Sequence, residues 1–431
     1  MIVVNTDNKP VFEEGDNVRQ KRAKIGEVLF NDKAPLVSVI VLGWNRSDKT
    51  RICVESVLKF TEGIDYELVL LDNGSTDDTL DYFQSVDHPK KTIIRITKNV
   101  GAFFGMDTGM LHSSGKYLAE LANDTYVTKN WLKNMLRCAE SDPCIGMISP
   151  RSSNVSNLQN ANISFLGLEE MRQKTAEYNV SDPRKWHERL RLITIATLFR
   201  RECLSIIGRF DYGFVHDFGD DDITFRVRRA GYKAILCGDV FVHHDHPMEE
   251  RNEAKFTEDL KKGKLDFREK YHGVDAWDDV NNFEPGIMAL VNPEEKRGLP
   301  SILGIDVRCG TPILELKNRL RLADVFNAHL AAFTTEAKYY PDLLTICDEG
   351  RVFVDRPEYL KLRFQAPEFD YVVLGKPINT YRQSATLISD IKSLLKPDGK
   401  LLVTMEGNGA DVIHGLASPS GIDLKSVITL P

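Results

Sequence analysis

The sequence predicts an α/β architecture built on a largely parallel sheet, followed by a second, smaller α/β domain. Three observations carry this. Apolar strand-like runs alternate with helical patterns in units of about 30 residues, the signature of strand–helix–strand crossovers. The runs end in polar clusters, Asn45, Asp72-Asn73 and Asn123-Asp124, where ligands collect in such sheets. A polar stretch bounded by prolines, NPEEKRGLP at 292–300, then separates a second alternation from the first.

In chain order, residues 1–35 are polar, carry the basic cluster Arg19 to Lys24 and show no sustained period, so they read as an extension. LVSVIVLGW reads as a buried strand. SDKTRICVESVLKF reads as a helix with Cys53, Val57 and Phe60 on one side, capped by Ser47 or Asp48. YELVLLDNGS is a second strand ending in a turn, and STDDTLDYF opens a helix with acids in its first turn, where they suit the positive end of the dipole. KTIIRITKN and GKYLAELAND continue the alternation. WLKNMLRCAE places Trp131, Leu132, Met135 and Leu136 on one helix face. A charge-rich helix follows from about residue 250, and DDVNNFEPG is expected to close the first domain, set at 36–292. The second domain, 298–431, opens with SILGIDVRCGTPILEL and ends with FDYVVLGKPIN, ATLISDIKSLL and KLLVT.

Composition narrows the function. The chain has 431 residues, 42% hydrophobic and 28% charged, with a formal charge of -7, which argues against a general nucleic-acid binder. Seven cysteines without a CxxC pair suggest neither a disulfide framework nor a zinc site and fit a reducing compartment. The N-terminus does not read as a signal peptide, and no apolar run approaches the roughly 18 residues of a membrane span. A cytoplasmic protein is expected.

Three features of the first domain suggest a shared site. Asp124 ends its strand in LANDTYV, Asp220, Asp221 and Asp222 precede a helix in FGDDDITFRVRR, and His243, His244 and His246 end another strand in VFVHHDHP. Oxygen ligands with an imidazole suit Mg²⁺ or, better, Mn²⁺. A separate carboxylate suits proton removal from a hydroxyl. Each feature taken alone also has a simpler role: Asp124 as a turn or helix cap, the Asp run as a helix N-terminus paired with arginines, the histidines as packing.

The segments VSVIVLGWNR, ELVLLDNGSTDDT, KNVGAFFGMDTGMLHSSGKYLAELANDTYVTKNWL and GRFDYGFVHDFGDDDITFRVRRAGYKAILCGDVFVHH together resemble a family 2 glycosyltransferase of the GT-A fold, especially its rhamnosyltransferase-like branch. The likeness covers about residues 36–246 and implies a Rossmann-like mixed sheet flanked by helices. It also implies that Asp72 contacts the donor nucleobase and that Asn45, Asn99, Gly101 and Asn123 lie along the nucleotide. Ala122-Asn123-Asp124 stands at the DXD metal motif, leaving Asp124 as its carboxylate. Gly219 to Asp222 stand at the Glu-Asp-x-Asp signature, so Asp220 falls on the catalytic base and Asp222 on the last acid. His244 falls on the histidine that completes the metal shell, with His243 as the near alternative. The implied reaction inverts the anomeric centre by single displacement. Trp44, Trp131 and Trp186 are candidates for sugar stacking, with Trp131 better explained as core and Trp186 assigned to an acceptor loop.

The second domain resembles a degenerate class I methyltransferase. Asp306, Arg308, Gly310 and Pro312 occupy the places of its D-x-G-x-G-x-G motif, so only the middle glycine remains, and the acid expected after the next strand is absent in AAFTTEAKYY. The domain is therefore expected to bind no SAM and to serve docking or homo-oligomerisation, and its brevity suggests a missing closing hairpin. The implied whole is a metal-dependent enzyme using Mn²⁺ or Mg²⁺ and a UDP-, dTDP- or GDP-linked sugar. The acceptor would be a hydroxyl of a bacterial surface glycan or of a protein such as flagellin. The rivals are a non-catalytic scaffold and a bifunctional glycosyltransferase and methyltransferase.

Overall fold

The near-continuous apolar run VSVIVLG folds as a strand buried along its whole length, as a strand covered on both sheet faces should be. The computed structural model describes residues 1–5, 35–211, 213–214, 217–246, 253–295, 298–406, 412–418 and 421–423. It divides into two units, Met1–Lys270 and Tyr271–Pro431, ahead of the 292–300 linker expected from the sequence.

The strands of the first unit are β1 (Ile2–Val4), β2 (Val37–Gly43), β3 (Tyr66–Asn73), β4 (Lys91–Ile96), β5 (Tyr117–Ala122), β6 (Thr125–Tyr126), β7 (Ile145–Ser152), β8 (Trp186–Glu188), β9 (Thr197–Arg200) and β10 (Lys233–His244). They lie in the order β1-β4-β3-β2-β5-β9-β7-β10-β6, with β8 on β10. The sheet is parallel from β1 to β5, and β9 runs antiparallel to both β5 and β7. The expected α/β class is therefore observed, as a mixed and mostly parallel sheet. Register places Gly43 beside Asp72 and Leu42 beside Ala122, so the polar clusters after β2, β3 and β5 share one edge. From the other half of the sheet, β10 pairs antiparallel with β6, setting His244 opposite Thr125.

Helices cover the sheet as the periodicity predicts, with one difference in capping. The helix Ser47–Phe60 starts after Arg46 in a left-handed conformation, with no cap from its own side chains. Its first amide, Ser47 N, donates instead to Asp77 Oδ2 at 3.0 Å, so the turn after β3 supplies the cap. Trp131 is core, as expected: it is fully buried and donates through Nε1 to Thr61 Oγ1 at 3.2 Å. Trp186 departs from its expected place in an acceptor loop. It is buried on β8 and donates to Asp239 Oδ2 at 2.9 Å, because β8 pairs with β10 and faces its ring inward. Part of the supposed extension is structured too, since β1 pairs in parallel with β4. The basic cluster Arg19 to Lys24 lies outside the described residues.

The second unit carries β11 (Ser301–Ile305), β12 (His329–Thr334), β13 (Val352–Val354), β14 (Phe369–Leu374), β15 (Leu395–Glu406), β16 (Val412–Ser418) and β17 (Gly421–Asp423), in the order β13-β12-β11-β14-β15-β16-β17. The first five are parallel, as in a doubly wound sheet. β15, β16 and β17 form an antiparallel meander, so the expectation of a missing hairpin is corrected. DDVNNFEPG belongs to this unit rather than closing the first. Asp279 Oδ1 accepts from Tyr339 Oη at 2.7 Å, and the Val280 carbonyl accepts from Thr311 Oγ1 at 2.5 Å. After β11, Asp306 and Arg308 both have φ of 52°, a conformation that favours glycine, and Gly310 follows at 107°. The Asp306 carboxylate accepts from Thr335 N at 2.7 Å and lies 3.5 Å from Lys376 Nζ, so internal partners hold it.

Candidate active site

The edge formed by β2, β3 and β5 is tied together by asparagines. Asn45 adopts φ of 53°; its N donates to Ser75 Oγ at 2.9 Å, and its Oδ1 accepts from Thr76 N at 2.8 Å. Asn123 Nδ2 donates to the Asn45 carbonyl and to Thr50 Oγ1, each at 2.8 Å. Asp72 is fully buried, accepting from Ser75 N at 2.9 Å and paired with Arg95. Asn73 Nδ2 donates to Asn99 Oδ1 at 3.1 Å, and Asn99 Oδ1 also accepts from Gly101 N at 2.8 Å. Gly74 at φ of 78° is required here, because a Cβ would lie 2.5 Å from the backbone at Lys98 and Asn99. The result is a rigid, polar loop cluster. Trp44 stands beside it 51% exposed, an aromatic face open to a planar ligand.

Asp124 sits one residue beyond this cluster, and the β10–β6 pairing brings histidines to it. His244 Nε2 lies 3.7 Å from Asp124 Oδ1, and His246 Nδ1 lies 3.3 Å from Asp124 Oδ2. All three ligand atoms fall within 4.8 Å of one another. Asp124 Oδ1 is shielded from solvent and accepts no hydrogen bond among the described residues. His244 Nδ1 lies 3.4 Å from the Asn154 carbonyl, which can only accept, so that contact suits a protonated Nδ1. His243 points elsewhere, as strand alternation requires: its Nδ1 is 2.6 Å from Ser153 Oγ and its ring meets Tyr126 and Phe165. Burial lowers its pKa and favours the neutral ring.

The acidic run opens the helix Gly219–Arg229, and the helix sends its three carboxylates to different places. Asp220 Oδ1 accepts from Thr194 Oγ1 at 2.5 Å. Its pKa is raised to about 7, first by burial, opposed by the Thr194 hydrogen bond and reinforced by Asp221. Asp221 is buried against Arg191. Asp222 is fully buried, paired with Arg226 at 2.8 Å and with Lys270 at 2.5 Å, and so anchors the helix at its base. A side chain at Gly219 has no room as the structure stands. A Cβ there would lie 2.3 Å from the Phe103 ring.

The structure thus gathers Asn45, Asp72, Asn99, Gly101 and Asn123 into one loop cluster, and Asp124 and His244 into one ligand group. It sets Asp220 beside Thr194, while Asp222 is taken up by Arg226 and Lys270. His246, one of the three histidines read from VFVHHDHP, lies two residues beyond the end of β10 and joins Asp124 and His244. One residue escaped the sequence reading of the site. Glu120 is the carboxylate of the strand YLAELA, a charge on a buried run, and its pKa is raised to about 8, first by burial and then by Asp220.

Residues 38–203 match the family model described as Glycosyl transferase family 2. Glycosyltransferase AglE of Haloferax volcanii is 24% identical over 216 residues, covering 49% of this chain and 67% of that protein. The succinoglycan biosynthesis protein ExoO of Rhizobium meliloti is 28% identical over 110 residues, 26% of this chain and 31% of that protein, so the chain spans only about a third of this relative. Among solved structures, a mannosyltransferase from Pyrobaculum calidifontis in complex with GDP-Man and Mn²⁺ is similar at a TM-score of 0.41 and 19% identity, over 57% of this chain and 69% of that one. The matched residues include Asn45, Asp72, Glu120 and Asp124, while Asp220 and His244 lie beyond them. The chain therefore carries a family 2 glycosyltransferase domain over residues 38–203.

Proposed function

We propose that this chain is an inverting, metal-dependent glycosyltransferase that moves a sugar from a nucleotide-diphosphate donor to a hydroxyl of a bacterial surface glycan or of a protein such as flagellin. The convergence of Asp124, His244 and His246 carries the reading. Ligands about 2.1 Å from one ion stand roughly 3 Å apart when adjacent, and the 3.3 and 3.7 Å separations here suit that arrangement. One carboxylate with two imidazole nitrogens suits Mn²⁺ better than Mg²⁺. A bound divalent ion would supply Lewis-acid stabilisation of the departing diphosphate.

The chain's own residues do the rest. The asparagine-tied loops position the nucleotide, with Trp44 offering its exposed face to the base. Asp220, held by Thr194, accepts the proton of the acceptor hydroxyl, and a pKa near 7 suits a base at neutral pH. We assign the second unit to docking without a cofactor; the Thr335 and Lys376 contacts that hold Asp306 support only the cofactor half of that assignment.

Release of free nucleotide from UDP-, dTDP- and GDP-sugars, measured with and without Mn²⁺, tests the reading. It predicts metal-dependent release for one donor class and loss of at least about a hundredfold in transfer for Asp220→Asn. Release that ignores both the metal and the substitution would leave a non-catalytic scaffold as the better description.

A further inference from the structure

The chain that carries His244 and His246 stays fastened beyond the last residue of its strand. β10 stops at His244, yet the four backbone polar groups of His244 and Asp245 all have partners. His244 N donates to Ser153 Oγ at 3.1 Å, and its carbonyl accepts from Asn154 Nδ2 at 2.8 Å. Asp245 N donates to the Asp124 carbonyl at 2.8 Å, which extends the β6 pairing by one residue. The Asp245 carbonyl accepts from Lys49 Nζ at 2.5 Å, so a lysine of the helix Ser47–Phe60 grips the peptide that joins Asp245 to His246. The Asp245 side chain is caught as well. Its Oδ2 accepts from Tyr126 Oη at 2.8 Å and lies 3.4 Å from Lys49 Nζ. The rings of His244 and His246 emerge nearly parallel, with centroids 5.5 Å apart and planes 8° from each other.

Lys49 is an odd neighbour for a cation site. Its ammonium repels a divalent ion, and with its side chain only 17% exposed, solvent screens that repulsion in part. Its place makes sense if its grip on the backbone outweighs its charge. We propose that Lys49 and Tyr126 are positioning residues that act through Asp245: they fix the segment His244 to His246 so that both imidazoles meet Asp124 before any donor arrives, and the site takes up Mn²⁺ ahead of the nucleotide sugar. This rests on the reading of Asp124, His244 and His246 as the metal ligands in the preceding subsection. The advantage is one of preorganisation. Ordering a loose strand end costs conformational entropy, and here folding has already met that cost, so binding does not. Cutting the Lys49 bond releases the peptide before His246 and returns the cost to the binding step.

The test is calorimetric titration with Mn²⁺ of the full chain and of its K49M, Y126F and D245N variants, first without nucleotide and then with UDP, dTDP or GDP. Wild type should bind Mn²⁺ without nucleotide. K49M and Y126F should bind it about tenfold more weakly. Melting temperatures in EDTA identify a variant that has lost its fold, and the other variant then decides. D245N keeps a carbonyl for Lys49 and an amide oxygen for Tyr126, so its affinity should change by less than about fivefold. A purely electrostatic role gives the reverse order, with K49M tighter for loss of a cation and D245N weaker for loss of an anion, and that order overturns the proposal. So does a wild type that takes up Mn²⁺ only when a nucleoside diphosphate is present, a result that leaves the metal-dependent reading standing. No uptake under either condition overturns both.

Discussion

Asn123 Nδ2 donates to the carbonyl oxygen of Asn45 at 2.8 Å, joining the turn after β5 to the left-handed loop after β2. The same amide reaches Thr50 Oγ1, so one side chain sets the distance between the Asp124 group and the loops read as the nucleotide cradle. Asn123→Ala removes both bonds and leaves Asn45 in an unfavourable φ without its clamp. Donor KM is expected to rise about tenfold with kcat changed less. Steady-state kinetics across donor concentrations check this, and an unaltered KM would remove Asn123 from the binding role.

The ligand group makes a separate prediction. If His246 is a direct ligand, His246→Ala should weaken Mn²⁺ binding by about 10- to 100-fold, and Asp124→Asn should weaken it further. Calorimetric titration of the donor-free protein with Mn²⁺ reads this without reference to activity. His243→Ala, which removes a ring packed on Tyr126 and Phe165, should leave the titration alone. Equal effects at 243 and 246 would mean that the strand end, and not the ligand set, had been disturbed.

How much of this was legible in the sequence depends on the range of the physics involved. The strands and the helices Ser47–Phe60 and Trp131–Ser141 follow from local periodicity, and their bounds match the runs that predicted them. The Asn45, Asp72 and Asn123 cluster follows from strand ends sharing one edge of a parallel sheet. What was not legible depends on partners far along the chain. The cap of the first helix comes from Asp77, and the burial of Trp186 comes from the β8–β10 pairing. Asp222 sat in a motif that suggested ligand binding, yet Lys270, across an intervening strand and a second helix, takes up its charge. Glu120 gave a local signal, a lone acid in an apolar strand, but its meaning required knowing that β9 brings Thr197 alongside and that Thr194 just precedes it.

The raised pKa of Glu120 has a consequence for stability with a definite sign. Its value moves from 4.5 to about 8 on folding, so between those limits the native state binds more protons than the unfolded chain. Stability then falls as pH rises through that window, because ionising Glu120 is easier once the chain unfolds. Glu120→Gln removes this term. The melting temperature of E120Q relative to wild type should therefore climb from pH 5 to pH 8.5, by about 2–4 °C for each kcal/mol relieved. Thermal melts at fixed ionic strength across this range decide it, and a constant difference between the two proteins would contradict a buried, neutral Glu120.

Gly219 offers the last prediction, because the space a side chain would need there is already taken. The Phe103 ring lies where a Cβ at 219 would be, at 2.3 Å, and the ring is itself stacked on Phe210 with centroids 5.1 Å apart. It has little room to withdraw without disturbing that pair. Gly219→Ala should destabilise the protein by about 1–3 kcal/mol through overpacking, and Phe103→Leu in the same chain should recover part of the loss. Gly219→Glu should lower transfer activity, since the helix that carries Asp220 has to shift to admit the side chain. Urea unfolding of G219A, F103L and the double variant measures the coupling. Strict additivity of the two changes would show that the ring and the glycine do not share this space.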